Sequence, residues 1–411
     1  MNLVHPSSKL PLPLPEDIIC HILCLLPVKT LVALRCVSRQ WCSLIDSPYF
    51  VKLHLECSIT TSSNLTLIFH TSVDKYVRNV WDDYFSHDGE NIPDGGLYSL
   101  DFVNFESESD SESEFTCTAL HPLDDDNPMK NVVEDASLTQ VIASCNGLLL
   151  LAERRTGYVF ILWNPCTGKY HKIPELPLTD RLYFNNSRFC DDVYGFGYDL
   201  INQDYKLVWI VTKFMLNTER QQVYVYSLNN DSWRRVLDLF PYDIGFNATH
   251  AMLVNNTLHW TGYPPASPNW DEYPNNVIVA FDLVAEECHE LPHPNDVDLH
   301  CFHIVLSVFE GCLSLISVPN WVDWDAVAYS KRRDKILLDI DGSRLVWYDL
   351  KRKRAKNVKI HGAPSLYEMT LHVSSLVPPL NAAGTAVTVM QASWENTEKN
   401  KRRRIGGIMG E

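Results

Sequence analysis

Four segments of this chain share one pattern: an apolar strand ending in an aromatic residue, a polar turn, and a second strand. The aromatics are Trp163, Tyr226, Phe281 and Tyr348, and Ile173, Val236, Leu291 and Val358 follow each at the same offset of ten positions. Equal offsets at four places call for one hairpin geometry used four times. Asn164, Asp282 and Asp349, each next to its aromatic, can accept hydrogen bonds from turn amides. A single hairpin cannot bury its apolar face alone, so the copies must pack on one another.

The aromatics lie 63, 55 and 67 residues apart, which leaves room for about four strands and a loop per repeat. Other turn-opened strands lie between them, at Asn146-Gly147-Leu148 and Asn255-Asn256-Thr257, and Tyr194 to Asp199 leads into Tyr205 to Ile210. The pattern predicts an all-β, β-propeller (kelch-like) domain, whose radial repetition protects strand edges. An open β-sandwich is the alternative. The last spacing is irregular: beyond Trp321-Val322 the chain passes within a few residues from Trp324–Tyr329 to Lys335–Leu338. A strand pair is expected to be missing there, which bears on how the array closes.

Residues 14–45 instead follow a helical period. Pro15 suits the first helical position, where its missing N–H has no partner, and Glu16 and Asp17 sit at the positive end of the helix dipole. Ile18, Ile22, Leu25 and Leu26 recur on one face until Pro27 stops the helix. A second helix is expected, capped by Thr30, with the stripe Leu31, Leu34, Val37, Trp41 and Leu44, ending at Asp46-Ser47-Pro48. Short helices of this extent bury too little surface to stand comfortably alone, so the apolar face calls for a partner. The expected organisation is a flexible tail 1–13, a small all-α module 14–58, a β domain 59–380 and a disordered basic tail 381–411.

The formal charge is −16, and between Asp101 and Asp135 eleven carboxylates face the single Lys130. An acidic loop is therefore expected over 104–136. Within it, residues 106–114 alternate acid and serine with no apolar member, and Ser107, Ser109 and Ser111 each precede an acidic residue by three. That spacing suits an acid-directed kinase, which would add about −1.5 to −2 charges per site. The acidic balance argues against a nucleic-acid surface, and no run approaches the ~18 apolar residues of a membrane span. Twelve cysteines without a compact disulfide framework read as reduced thiols, which points to the cytoplasm or nucleus. Lys399 and Lys401-Arg402-Arg403-Arg404 resemble a short nuclear-import signal, whereas Lys351 to Arg354 fall in an expected water-facing hairpin turn.

Three submotifs, Leu14-Pro15-Glu16-Asp17, Leu26-Pro27-Val28-Lys29 and Cys36-Val37-Ser38-Arg39-Gln40-Trp41, resemble the F-box in order and spacing. Ser144-Cys145-Asn146-Gly147-Leu148, Trp163-Asn164-Pro165-Cys166-Thr167-Gly168, Tyr194 to Asp199, Tyr205 to Val208 and Tyr226-Ser227-Leu228 resemble the F-box-associated domain of plants. Together the resemblance covers residues 14 to 377. It implies docking to a Skp-type adaptor through Leu14, Pro15, Ile19, Leu26, Pro27, Leu31, Cys36, Val37 and Trp41. It also implies that the repeat domain holds a protein substrate for a cullin–RING ubiquitin ligase. Pollen S-locus and immune-regulating receptors are among the proteins of this kind. The alternative is an adaptor that does not assemble an active ligase. Trp270, Tyr273, Trp321 and Trp324 are substrate-contact candidates because aromatics anchor interfaces, although aromatics also pack between sheets.

Such a subunit acts by proximity and needs no nucleophile of its own. Cys288, His289, His293, His300, Cys301 and His303 are ligand types, but their spacing matches no compact zinc knuckle. Cys20 and Cys24 read as small buried hydrophobes. Gly195-Phe196-Gly197 lacks the third glycine of a dinucleotide loop, and no phosphate loop or His-Glu-x-x-His is present. No metal, cofactor or catalytic role is expected, and an enzyme with ligands far apart in sequence is a third reading.

Overall fold

The protein is described by a computed structural model. It describes residues 15–71, 97–101, 114–116, 118–120, 139–153, 159–176, 193–215, 218–242, 244, 251–264, 277–292, 302–309, 311–319, 324–330, 332–340, 342–363 and 367–379. Four helices open the chain: α1 (Glu16–Cys24), α2 (Val28–Leu34), α3 (Arg39–Ile45) and α4 (Pro48–Thr60). The expected second helix is thus two. Thr30 lies inside α2, whose N-cap is Pro27, and the chain reopens at Ser38 (φ −159°, ψ 159°), whose side chain accepts from Trp41 N–H. Ser47-Pro48 does not end the helical module but starts α4. Ser47 Oγ accepts from Phe50 N–H at 3.2 Å, and Pro48 occupies a first turn that needs no donor from it.

The described strands form six sheets. Sheet I pairs β1 (Leu65–Thr71) with β2 (Leu97–Asp101), then β4 (Thr118–Leu120), and on its other side with the last strand, β23 (Tyr367–Val373). Sheet II holds β5 (Thr139–Cys145), β6 (Leu148–Glu153), β7 (Val159–Trp163) and β8 (Tyr170–Lys172). Sheet III holds β9 (Val193–Asp199), β10 (Asp204–Met215), β11 (Thr218–Ser227) and β12 (Ser232–Leu237). Sheet IV holds β13 (Met252–Val254), β14 (Thr257–Gly262), β15 (Val277–Asp282) and β16 (Cys288–Leu291). Among the described residues, sheet V holds β17 (Phe302–Phe309) and β18 (Cys312–Pro319). Sheet VI holds β19 (Trp324–Tyr329), β20 (Lys335–Ile340), β21 (Arg344–Asp349) and β22 (Arg354–His361), joined in parallel by β3 (Glu114–Thr116).

Six small sheets, not two facing ones, make the domain propeller-like and exclude the sandwich. The four repeated hairpins are the outer strand pairs of sheets II, III, IV and VI. Each aromatic pairs with the residue seven positions on: Trp163 with Tyr170, Tyr226 with Trp233, Phe281 with Cys288, Tyr348 with Ala355. The next residue caps the turn. Asn164 Oδ1 accepts from the amides of Cys166 and Thr167, Asp282 Oδ1 from Val284 and Ala285, and Asp349 Oδ1 from Lys351 and Arg352. Five positions after each aromatic the backbone turns left-handed, at Gly168 (φ 68°), Asp231 (47°), Glu286 (58°) and Lys353 (51°). Among the described residues sheet V lacks this outer pair, and only four residues separate Pro319 from Trp324. Residues 104–136, expected as a loop, contain β3 and β4, which join different sheets.

Sheets III and IV meet where Gly195 and Gly197 carry no side chain. A Cβ on Gly195 would lie 2.6 Å from Leu258 Cδ1, and one on Gly197 2.7 Å from Leu253 Cδ1. The Tyr-Gly-Phe-Gly-Tyr-Asp motif therefore sets the sheet spacing. Beside it, buried Lys206 pairs with Asp199 Oδ2 at 2.9 Å and Glu286 Oε1 at 3.0 Å and donates to the Leu283 carbonyl. Burial opposes charge on Lys206 and Asp199. Their mutual hydrogen bond, with Glu286 and Asn202 as further partners, outweighs it, so Lys206 is raised and Asp199 lowered.

Candidate functional site

α1 carries two apolar faces. Cys20, Leu23 and Cys24 point inward and are buried, while Ile18, Ile22 and Leu25, spaced i, i+4, i+7, are 46%, 48% and 65% exposed. Val37, in the link between α2 and α3, and Tyr49, in the first turn of α4, add 62% and 68% exposure. Pro15 and Pro27 are exposed at the helix starts, and Cys36 is exposed beside Val37. Among the described residues nothing covers these outward apolar side chains, at a cost of about 25 cal/mol per Å² that a partner would recover.

The residues expected to dock divide accordingly. Pro15, Pro27, Cys36 and Val37 are exposed; Ile19, Leu26 and Trp41 are half-buried against the inner core; Leu31 is 0% exposed and shapes the module from within. Leu14 lies outside the described residues. Ile18, Ile22, Leu25 and Tyr49 complete the outer face. The i, i+4, i+7 spacing of Ile18, Ile22 and Leu25 is legible in the sequence, whereas Tyr49 sits on α4, beyond the expected end of the helices at Asp46-Ser47-Pro48. The face is held by short-range bonds. Arg35 pairs with Asp46 at 2.8 Å, and the buried His54 of α4 places Nε2 3.0 Å from the Leu26 carbonyl, with burial lowering its pKa.

The inner face of the helices does not end in solvent. Leu23, Leu31, Ile45, Phe50 and Leu55 share one buried apolar cluster with Cys145, Leu148, Tyr198, Tyr205 and Leu228 from the turn ends of sheets II and III. The chain after β23 completes this seam: Leu376 and Val377 join the same cluster. Asn164, fully buried, donates from Nδ2 to the carbonyls of Ser375 (3.0 Å) and Val377 (2.8 Å) while its Oδ1 caps its own turn. Ser375 Oγ donates to the Asn146 carbonyl at 2.7 Å. Gly147, at φ 84°, faces this strap so closely that a Cβ would lie 2.0 Å from Ser375 Oγ. Two of the motifs noted in the sequence, around Asn146-Gly147 and Asn164, thus serve the seam between helices and sheets. The link itself is tight: Asn64 Nδ2 donates to Ser58 Oγ at 2.8 Å, and Ser374 N–H donates to the Asn64 carbonyl.

The other candidates are dispersed. Trp270, Tyr273, Trp321, Ser107, Ser109 and Ser111 lie outside the described residues, and Trp324 opens β19 opposite Ile340. Cys288 packs against the core between sheets III and IV, where burial pushes its thiol up to about 12, and His289 follows it on the alternate side of β16. His293, His300 and Cys301 are outside the described residues, and His303 is in β17. Among the described residues no group of three or more metal-ligating side chains converges, and no helix is long and apolar enough to cross a membrane. Burial likewise pushes Cys24 up to about 12, the behaviour of a packed thiol.

A family model described as the F-box associated beta propeller domain matches residues 96–321, more than half of the chain, and the F-box domain model matches residues 12–53. The F-box protein CPR1 of Arabidopsis thaliana is 28% identical over 417 residues, covering 89% of this chain and 88% of that protein. The F-box protein At4g22390 of the same plant is 26% identical, covering 96% and 97%, and the F-box/kelch-repeat protein At3g23880 is 26% identical, covering 74% and 71%. With one family model over more than half of the chain and the other over its helices, the chain belongs to the plant F-box proteins that carry an F-box-associated domain.

Proposed function

We propose that this chain is the substrate-recognition subunit of a cullin–RING ubiquitin ligase, docked to a Skp-type adaptor through its helices and holding a protein substrate on its sheets. The observation that carries the reading is the exposed face Ile18, Ile22, Leu25, Val37 and Tyr49 on a module whose opposite face is fused to the β domain. No nucleophile is required, since fixing the substrate near a charged conjugating enzyme raises its effective concentration. We further propose that the six sheets close into a ring. In support, β5 lies beside β9, β9 beside β13, β13 beside β17, β17 beside β19, β19 beside β23 and β23 beside β5.

The substrate face in this reading is the one away from the helices. The helices share their buried cluster with Cys145 and Leu148 beside the β5–β6 turn and Tyr198 and Tyr205 beside the β9–β10 turn, and the β13–β14 turn meets the β9–β10 turn through Asn256 Oδ1, which accepts from Leu200 N–H. The connections from β6 to β7, β8 to β9 and β14 to β15 therefore leave from the far ends, and the last of these carries Trp270 and Tyr273. The proposal also puts the protein in the cytoplasm or nucleus, where its thiols stay reduced.

The test is co-purification with a Skp-type subunit. The chain is expected to be captured, and Ile22→Glu with Leu25→Glu to abolish capture, since each buried anchor is worth about 2–4 kcal/mol. The variant should keep the wild-type thermal midpoint. Undiminished capture overturns the docking assignment. Capture without ubiquitin transfer to any bound protein favours the adaptor that does not assemble an active ligase.

A further inference from the structure

The outer strands of the four repeated hairpins all carry charge: Lys172 in β8, Arg234 and Arg235 in β12, Glu290 in β16 and Arg354 in β22. Such charges guard a sheet edge against pairing with other molecules. Sheet V is different. Among the described residues it ends on its second strand, β18, and Cys312–Pro319 contains no charged residue. In each of the other sheets a third strand flanks the second, whose apolar side chains are sealed: Leu67, Leu148, Leu207, Leu258 and Leu337, one from each, are 0% exposed. In β18, by contrast, Leu313, Leu315 and Ile316 are only half-buried and Cys312 is exposed.

The register of the β17–β18 ladder tells which backbone groups face outward. Two residues link Phe309 to its partner Cys312, so these form a hydrogen-bonded pair, and Ser307 with Ser314 and Val305 with Ile316 follow at every second position. Leu313, Leu315 and Ser317 therefore direct their N–H and C=O groups away from β17. Pro319, next in that series, has no N–H and ends it. An edge of this kind is completed by one more extended strand.

Charge selects the occupant. Ile316 packs against the cluster of Phe309, Ala326 and Leu338, and Tyr348 of β21 joins the same cluster, so this side of sheet VI is the wall beside β18. Arg344, opposite Ile340, shares that side by alternation and is exposed at one end of the wall. The exposed turn Lys351-Arg352-Lys353 stands at the other. Between Ser330 and His361 eleven lysines and arginines stand against four aspartates, in a chain of net charge −16. A second copy would bring the same positive charge to the edge and be repelled, so an acidic strand from another protein fits best.

We propose that the outer edge of β18 holds the substrate: an extended segment of the substrate protein adds to sheet V as a third strand, with uncharged residues along Leu313 to Ser317 and acidic residues at its ends. This rests on the substrate-receptor reading above and narrows it to a class, proteins that display an unpaired strand with acidic flanks. In that reading the β17–β18 turn lies on the helix side with the β5–β6 turn, so the edge opens onto the substrate face at Pro319.

The test is selection of phage-displayed random peptides on the full chain, with binding of the selected peptides measured by fluorescence anisotropy. Expected are Asp or Glu flanking a run of uncharged β-branched and aromatic residues. On binding, amide exchange in the wild type should slow at Leu313, Leu315 and Ser317 and stay unchanged at Ser314 and Ile316, which are already bonded to β17. Leu315→Pro removes one outward donor and should weaken binding about tenfold, the worth of about one hydrogen bond. Arg344→Glu with Arg352→Glu should weaken the same peptides and remove the salt dependence of their binding. A wild-type thermal midpoint verifies the fold of each variant. Selection of no peptide, or of peptides that leave the three outward amides unprotected, overturns the proposal. Protection of those amides before any peptide is added assigns the edge to another part of this chain, and self-association that Leu315→Pro removes assigns it to a second copy; either overturns the proposal. Failure of the receptor reading shows separately: a wild type that binds these peptides through β18 but captures no Skp-type subunit overturns the ligase role and leaves the strand-binding edge in place.

Discussion

Two residues with the same backbone conformation carry opposite consequences. Lys353 and Glu286 both sit at the left-handed position of a repeated turn, at φ 51° and 58°, where a side chain costs about 1–2 kcal/mol that glycine avoids. Lys353 is exposed, so Lys353→Gly is expected to raise stability by about 0.5–1 kcal/mol in urea unfolding. Glu286 is buried and pairs with Lys206 and Arg234, so Glu286→Gly removes one of the two carboxylates that hold the buried ammonium, Asp199 being the other, and should cost about 1.5–3 kcal/mol. His372 gives a pH dependence. Burial lowers its pKa to about 4, with Nδ1 3.0 Å from Ser144 Oγ. The unfolded chain takes up this proton first, near pH 6.5. Its contribution is therefore full above that pH and is lost as pH falls toward about 4, where the folded form protonates as well. Thermal midpoints measured from pH 7 to 4 should fall, and less steeply in His372→Asn.

Elements meet here through residues whose necessity is steric. Sheets III and IV approach across Gly195 and Gly197, so Gly197→Ala pushes against Leu253 and Leu283 and should cost about 1–3 kcal/mol. The strap after β23 depends on Asn164, whose two N–H groups hold two carbonyls. Asn164→Ala leaves both without their donor and should cost about 2–4 kcal/mol, with the loss seen in amide exchange of Leu376 and Val377 before that of β10. The helices show the same dependence on neighbours. α2 and α3 are seven residues each, too short to persist alone in water, and their stability comes from packing.

At the scale of the molecule, dock and receptor read as separate modules in the sequence, but their cores are continuous. A fragment beginning at residue 59 would expose the sheet side of the seam, including Leu148, Leu376 and Val377. It is expected to melt at a clearly lower temperature than the full chain, and a chain ending at Val373 should show the same defect with all four helices present. Equal midpoints for the full chain and both truncations would show that the seam contributes nothing. The seam also fixes how the helices are set against the sheets, since the link from α4 to β1 is a hydrogen-bonded turn.

The local chemistry was legible in the amino-acid order. The four hairpins, their capping side chains at Asn164, Asp282 and Asp349, the absence among the described residues of a strand pair before β19, and the start of α1 to within one residue, Pro15 being its N-cap where the first helical position was expected, follow from spacing and turn residues, because these structures are decided by neighbours within about ten positions. The split of the second helix was not legible, since the apolar period continues through Val37 while Ser38 opens the backbone. Neither was α4, because Ser-Pro reads equally as a stop and as a start. Which apolar face of α1 turns outward, why Gly147 and Asn164 are needed, and that β3 leaves sheet I for sheet VI were decided only by tertiary structure. Each depends on a partner far away in sequence, and a period or a motif names the residue without naming what packs against it.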